Sequence, residues 1–284
     1  MDPKKPDRPS EEVMWAGPSG QRWLASATRF EDSLQPIGQA LIDKAALSPG
    51  MRVIDVGCGA GSMSLDIAHR VAPTGTVTGL DISPDLIAEA TRRADALHPK
   101  PSVQFILGDA ARTSLPQADR LVSRFGSMFF TDPYAAFRHM HGFLQSSGRL
   151  ALALWAPLKE NPWMLEVRTI LASHFDLPTP PPRTPGPFAY DEPDYLRDIL
   201  TKANFQQIDI SPFKTEMYVG GPGSSPESAA DFLFQALSMA QRAIDAPPDV
   251  RAQVRTELIA RLQSFMTPAG VRMPASTWLA TASA

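Results

Sequence analysis

Asp55-Val-Gly-Cys-Gly-Ala-Gly61 is the stretch whose residue types and spacing point most directly to ligand chemistry. Glycines at every second position let backbone N–H groups come close to a bound molecule, because no Cβ intervenes. The apolar run Val53-Ile-Asp-Val56 precedes them, and Ser62 to Val71, apolar at helical spacing, follows. Strand, glycine loop and helix in that order make a unit of the kind that binds nucleotides. The dinucleotide fingerprint places its third glycine one position further on, where this chain has Ser62, so the NAD reading weakens. Asp55 would sit poorly beside a pyrophosphate but suits a ligand that carries an ammonium and a sulfonium.

Two further carboxylates follow apolar runs. Asp81 closes Thr76 to Leu80, at the strand end where α/β sheets place their ligands, and a carboxylate there can accept both hydroxyls of a ribose. Capping the helix that Ser83-Pro84 opens is its other reading. Asp109-Ala110 follows Val103 to Leu107 and Gly108. A carboxylate followed by a free backbone N–H complements the amine and ring nitrogen of adenine, and a turn-forming Asp is the alternative. Arg120 to Phe125 reads as a fourth strand, running into Gly126-Ser-Met-Phe-Phe130.

Asp55 to Gly61 resembles the first motif of the class I S-adenosylmethionine-dependent methyltransferases, in the form of their ubiquinone/menaquinone-biosynthesis-type small-molecule members. Val77 to Ser83, Phe105 to Ala110 and Gly148 to Trp155 are similar to the family's later strands, in order and at the usual spacing, so the resemblance covers roughly residues 30 to 155. It implies S-adenosylmethionine as cofactor and S-adenosylhomocysteine as product. It places Asp55, Gly57, Cys58, Gly59 and Gly61 around the cofactor, Asp81 on its ribose, Ile82, Asp109 and Ala110 on its adenine, and the backbone near Ser123 and Arg124 at its methionine end. Trp23 lies in an N-terminal segment that closes over the cofactor in similar proteins. Trp15, Met128, Phe129 and Phe130 then face the methyl acceptor, with plain core packing as the other reading. The implied fold is a Rossmann-like, seven-stranded, mostly parallel sheet with helices on both faces, an antiparallel last strand and helical lid insertions.

The elements that must position these residues are legible in outline. At 284 residues and 43% hydrophobic, the chain can bury one large core. Residues 1–12, proline-rich and polar, are expected to be disordered, with one domain over 13–284. Within it we expect an N-terminal cap (13–47) and a cofactor-binding core (48–156). A lid insertion (157–188), more core (189–220), a helical lid insertion (224–266) and the last strand (272–283) complete it. The first insertion holds a helix over Pro162 to Phe175 and then Leu177 to Phe188 with its six prolines, a semi-rigid stretch. The second holds two helices, one with Leu233, Leu237, Ala240 and Ile244 on a stripe, the other with Val250, Val254, Leu258, Leu262 and Phe265. Asn204 to Ile210 reads as the sixth strand, with Phe213 to Val219 a short extension.

A net charge of −3 offers no general attraction to phosphate backbones or anionic membranes, so neither nucleic acid nor membrane is expected as a partner. Cys58 is the single cysteine, no apolar leader precedes it, and a cytoplasmic monomer or homodimer is expected. No Cys, His or acidic cluster has metal-ligand spacing, so no metal is expected. His174, Tyr190 and Tyr134 are the candidate general bases. A methyltransferase of nucleic acid or protein would need a Lys/Arg-lined cleft, which neither the lid helices nor the loop after the fourth strand shows. A non-catalytic descendant would have lost its cofactor residues, yet Asp55, Asp81 and Asp109 are all present.

Overall fold

A computed structural model describes residues 11–284. The disorder expected of residues 1–12 lies, up to position 10, outside the described residues, and a first helix begins at Glu11. The chain opens with α1 (Glu11–Trp15), α2 (Pro18–Ala25) and α3 (Ala27–Lys44). Alternation follows, through β1 (Arg52–Val56), α4 (Ser62–Val71), β2 (Thr76–Asp81), α5 (Pro84–Asp95), β3 (Val103–Leu107), β4 (Ala118–Arg124), α6 (Pro133–His141) and β5 (Leu144–Trp155). Next come α7 (Pro162–His174), α8 (Pro193–Lys202), β6 (Gln206–Tyr218), α9 (Pro226–Ala236), α10 (Gln241–Ile244), α11 (Pro248–Gln263), β7 (Met266–Thr267) and β8 (Gly270–Ser283).

The sheet runs β3-β2-β1-β4-β5-β8-β6. The first five strands are parallel, and β8 lies antiparallel between β5 and β6. The two-residue β7 folds back on β8, so the sheet has eight strands where seven were expected. The chain order reverses at β1, which pairs with β2 on one side and β4 on the other, and the crevice outside the carboxyl ends of these strands is where such sheets take ligands.

The strands are apolar because they are covered. Val53, Ile54 and Val56 of β1 and Leu150 to Trp155 of β5 are buried, as a parallel strand under helices requires. β6 is one 13-residue strand through Pro212, where the expectation had it broken into a strand and an extension. Proline is tolerated because β6 pairs only with β8 and lies at the sheet edge. α6 and α8 pack on each other, and α7, α9 and α11 form a helical layer of their own. The expected stripe of Leu233 to Ile244 is broken. Leu237 is extended at φ −94° and ψ 120°, a short 3-10 turn (Ser238–Ala240) follows, and burial of Leu237 and Ala240 outweighs helical continuity. Among the described residues no helix is long and apolar enough to cross a membrane.

Candidate functional site

β1 delivers the glycine loop to the reversal point of the sheet. A Cβ on Gly57 would lie 2.5 Å from Gly126 Cα, so the loops after β1 and β4 touch backbone to backbone. Gly59, at φ +57°, is different, since a Cβ there would meet nothing closer than Trp23 Nε1 at 3.5 Å. The space above Gly59 is therefore an open cradle. Gly59 N donates to Asp81 Oδ2 and Ser83 N to Asp81 Oδ1, both at 2.9 Å, which fixes the carboxylate at the mouth of that cradle. Burial pushes the Asp81 carboxyl up, and the backbone N–H groups of Ser83, Gly59 and Ile82 hold it down.

Asp55 is fully buried and accepts from Ser64 Oγ at 2.6 Å through Oδ2, while its Oδ1 has no partner among the described residues. Burial pushes its carboxyl up to about 6, with the charge of Asp81 adding to the effect and Ser64 and Arg124 opposing it. Arg124 reaches Ser62 Oγ at 3.4 Å from the opposite side, and Gly38 of α3 leaves it room, since a Cβ there would stand 2.6 Å from Arg124 Nη1. Glu31 of α3 is held by Arg93 of α5 through bonds of 2.7 and 2.8 Å. Asp109 accepts from Ala111 N at 2.8 Å and lies 3.3 Å from Arg112 Nε, so the turn-forming role is real, yet its side chain still borders the open space.

That open space is a cavity of about 1230 Å³. Of the residues singled out from the sequence, Asp55, Gly57, Cys58, Gly59, Asp81, Ile82, Asp109, Ala110 and Arg124 border it, as do Trp15, Trp23, Met128, Phe129 and Phe130. Met128 is also buried in the core, as its packing reading has it. Gly61 and Ser123 sit behind the wall. The place of a Cβ on Gly61 is taken by Phe105 and Ala90, and Ser123 Oγ donates to Val56 O at 2.8 Å.

None of the three candidate bases borders the cavity. Tyr134 donates its hydroxyl to Asp198 at 2.8 Å, and His174 meets Glu257 at 3.0 Å between α7 and α11. Tyr190 is buried beside Phe137 and Tyr195, its hydroxyl raised far above the usual range by burial. α6 and α7, which carry Tyr134 and His174, present other faces to the cavity, and Tyr190 lies in the turn before α8 with its ring in the core.

A second wall of the cavity, with Phe125, Trp155 and Trp163, is aromatic, and these three are not among the site residues that the sequence singles out. Phe125 stacks on Trp155 with ring centres 4.2 Å apart and planes 8° apart, and Trp155 lies 5.1 Å from Trp163. Phe125 takes φ +66°, a left-handed conformation rare for an aromatic residue. Trp155 ends a strand at the ligand-bearing edge, and that position was the available signal. All of Leu177 to Phe188 borders the cavity as a strap, tied down by Gly186 N donating to Met128 O at 3.0 Å. Trp15 packs edge-on against Phe129 at 4.8 Å, and Trp23 stacks on Phe30 at 3.9 Å, so the N-terminal helices form the third side. Among the described residues no group of His, Cys, Asp and Glu could hold a metal ion.

Residues 47–174 match the family model described as a methyltransferase domain. The chain is 32% identical over 120 residues to nocamycin O-methyltransferase of Saccharothrix syringae, which covers 42% of each chain. It is 30% identical over 118 residues to aklanonic acid methyltransferase DauC of Streptomyces sp., covering 41% of this chain and 53% of that one. The chain thus spans about half the length of the curated relatives it matches. Among solved structures, phosphoethanolamine N-methyltransferase 2 of Haemonchus contortus, in complex with S-adenosyl-L-methionine, superposes with a TM-score of 0.59. At 14% identity, over 98% of this chain and 60% of that one, the likeness is one of fold.

Proposed function

We propose that the chain, whose residues 47–174 match a methyltransferase-domain model, transfers a methyl group from S-adenosylmethionine to a small, partly apolar acceptor enclosed in the outer half of the cavity. The observation that carries this reading is the open cradle over Gly59, flanked by the fixed Asp81 carboxylate and the unpartnered Asp55 Oδ1. A ligand with ribose hydroxyls and an ammonium group matches these features. The cavity, at about 1230 Å³, exceeds the roughly 300–1,000 Å³ typical of a site for one small molecule, which leaves room for an acceptor.

S-adenosylmethionine, when bound, supplies an electrophilic methyl group on a sulfonium. Asp81 would hold the ribose, Asp109 and Ala110 the adenine, and Asp55 and Arg124 the charged methionine end. The chain's own task is then mainly positioning, since holding an acceptor at about 3–3.5 Å in line supplies several kcal/mol of the barrier. The stacked Phe125 and Trp155, together with the strap, exclude water from that space. Where the acceptor must shed a proton, Asp191 is a cavity-bordering carboxylate that, unlike Asp81 and Asp132, neither braces the glycine loop nor caps a helix. Burial pushes its carboxyl up, which suits a proton acceptor. The segments 157–188 and 224–266 and the N-terminal helices act in this reading as one lid, which would obstruct a macromolecular substrate.

Calorimetric titration of the full chain tests the cofactor half of the proposal. S-adenosylhomocysteine should bind and NADH should not compete. Binding of NADH in place of S-adenosylhomocysteine would overturn it.

A further inference from the structure

The guanidinium groups around the cavity differ in what compensates them. Arg183 is paired with Glu192 at 2.9 Å, Arg112 lies 3.3 Å from Asp109, and Arg124 is drawn to Asp55, Glu31 and Asp66. Arg22, on the N-terminal side, bonds Ser19 at 3.0 Å. Arg168 of α7, on the aromatic wall, touches only neutral oxygens, Thr179 Oγ1 at 3.0 Å and the Leu177 carbonyl at 3.4 Å. No carboxylate lies within ion-pair distance of it among the described residues. A half-buried guanidinium has five donors in a planar fork, and in an apolar wall an uncompensated one is costly unless a ligand supplies the anion.

Its place on the helix gives the ligand a shape. Trp163 and Met164, five and four residues before Arg168, border the same cavity, and Trp163 adjoins the stacked pair of Trp155 and Phe125. Four residues of helix advance the chain by about 6 Å. An aromatic slot therefore lies at the base of α7 and a cation one turn further out. We propose that the acceptor is a planar, largely apolar molecule bearing a carboxylate, which Arg168 binds at the end remote from the glycine loop. This rests on the reading of the outer cavity as the acceptor site. The competing acidic groups do not cancel the cation, since Glu192 is taken by Arg183 and Asp132 caps α6 by accepting from Ala135 N at 3.0 Å. Asp191 offers an acceptor amine the alternative anchor.

Three probes on the full chain saturated with S-adenosylhomocysteine decide the matter, namely naphthalene carboxylate, its carboxamide and the corresponding naphthylmethylamine, each titrated calorimetrically. The carboxylate should bind at least about tenfold tighter than the carboxamide, the scale of a charge-assisted bidentate contact. Arg168→Gln should erase that preference while leaving carboxamide affinity within about threefold, and Arg168→Lys, which keeps charge but not the fork, should retain part of it. Equal binding of carboxylate and carboxamide, preference for the amine, or no probe binding would overturn the inference. So would an equal loss for both neutral and charged probes in Arg168→Gln, which would show that the side chain merely ties down the strap. Saturation with S-adenosylhomocysteine is measured first, so failure of the underlying reading is seen separately from failure of this one.

Discussion

β1 and β2 with their loops, and the wall made by Phe125 after β4, β5, α7 and the strap, border one cavity by different means. On the first side the contacts come from backbone groups and short acidic side chains whose positions are fixed within the loops, as Asp81 is by the N–H groups of Gly59 and Ser83. On the second they come from large side chains, Phe125, Trp155 and Trp163, stacked on one another and backed by a helical layer. A surface presented by backbone admits few residue types, whereas an aromatic wall can be rebuilt from many. Substitutions on the first side should therefore act on cofactor affinity, and those on the second on acceptor choice.

The largest effect expected is at Gly59. A Cβ there would meet nothing closer than Trp23 Nε1 at 3.5 Å, so the branched side chain of valine extends into the open cradle, and its cost to the fold is mainly the strain of φ +57°, about 1–3 kcal/mol. The cradle itself would be filled. Gly59→Val should abolish S-adenosylhomocysteine binding in calorimetry while leaving the far-ultraviolet circular dichroism of the fold in place. Affinity within a few-fold of the parent would mean that the two sides are not distinguished in this way.

Next comes the ionisation of Asp55. Its carboxyl ordinarily ionises near 3.8 and here near about 6, because it is buried. A raised folded-state value contributes stability at pH below the ordinary one, and that contribution is lost as pH rises through about 6, a loss on the order of 3 kcal/mol. Urea unfolding of the ligand-free chain between about pH 4 and about pH 7 should show the fall, and Asp55→Asn should remove it. A flat profile for the parent would place the buried charge under better compensation than Ser64 and Arg124 provide.

Asp81→Ala should weaken S-adenosylhomocysteine by about 1–3 kcal/mol, since two hydroxyls lose a charged acceptor. The same change frees the N–H groups of Gly59 and Ser83, so some of the loss will be loop order; Asp81→Asn, which keeps an acceptor oxygen, should recover part of it. Unchanged affinity in a folded Asp81→Ala variant would remove the ribose assignment.

This contrast also explains what was legible in the sequence. The glycine loop, Asp81 and Asp109 could be read because geometry demands those residue types at those positions, and the alternation of strand and helix up to Trp155 follows from periodicity. The second side resisted. Leu237 sits at helical spacing but leaves the helix because tertiary burial outweighs local propensity, and nothing in Ser211-Pro212 tells that β6 continues along the edge of the sheet. Trp155, Trp163 and Arg168 look like any core or surface residues until the strap is folded over them. A phenol or an imidazole suits proton transfer by its chemistry, and chemistry does not say which face of a helix the side chain occupies.

The smallest expected effects test that last point. Tyr134 points its hydroxyl at Asp198, a partner on α8, and His174 joins α7 to α11 through Glu257; neither borders the cavity. Loss of a single exposed or half-exposed hydrogen bond of this kind costs about 0.5–1.5 kcal/mol of stability. A residue that moves the acceptor's proton would instead change the rate by about 100-fold or more. Once an acceptor is in hand, Tyr134→Phe and His174→Asn should each keep kcat/KM within about twofold of the parent while lowering the urea midpoint slightly, whereas Asp191→Asn should cut the rate wherever the acceptor must be deprotonated. A hundredfold loss in either of the first two would place a proton carrier outside the cavity that borders the glycine loop, and the division of labour between the two walls would fail.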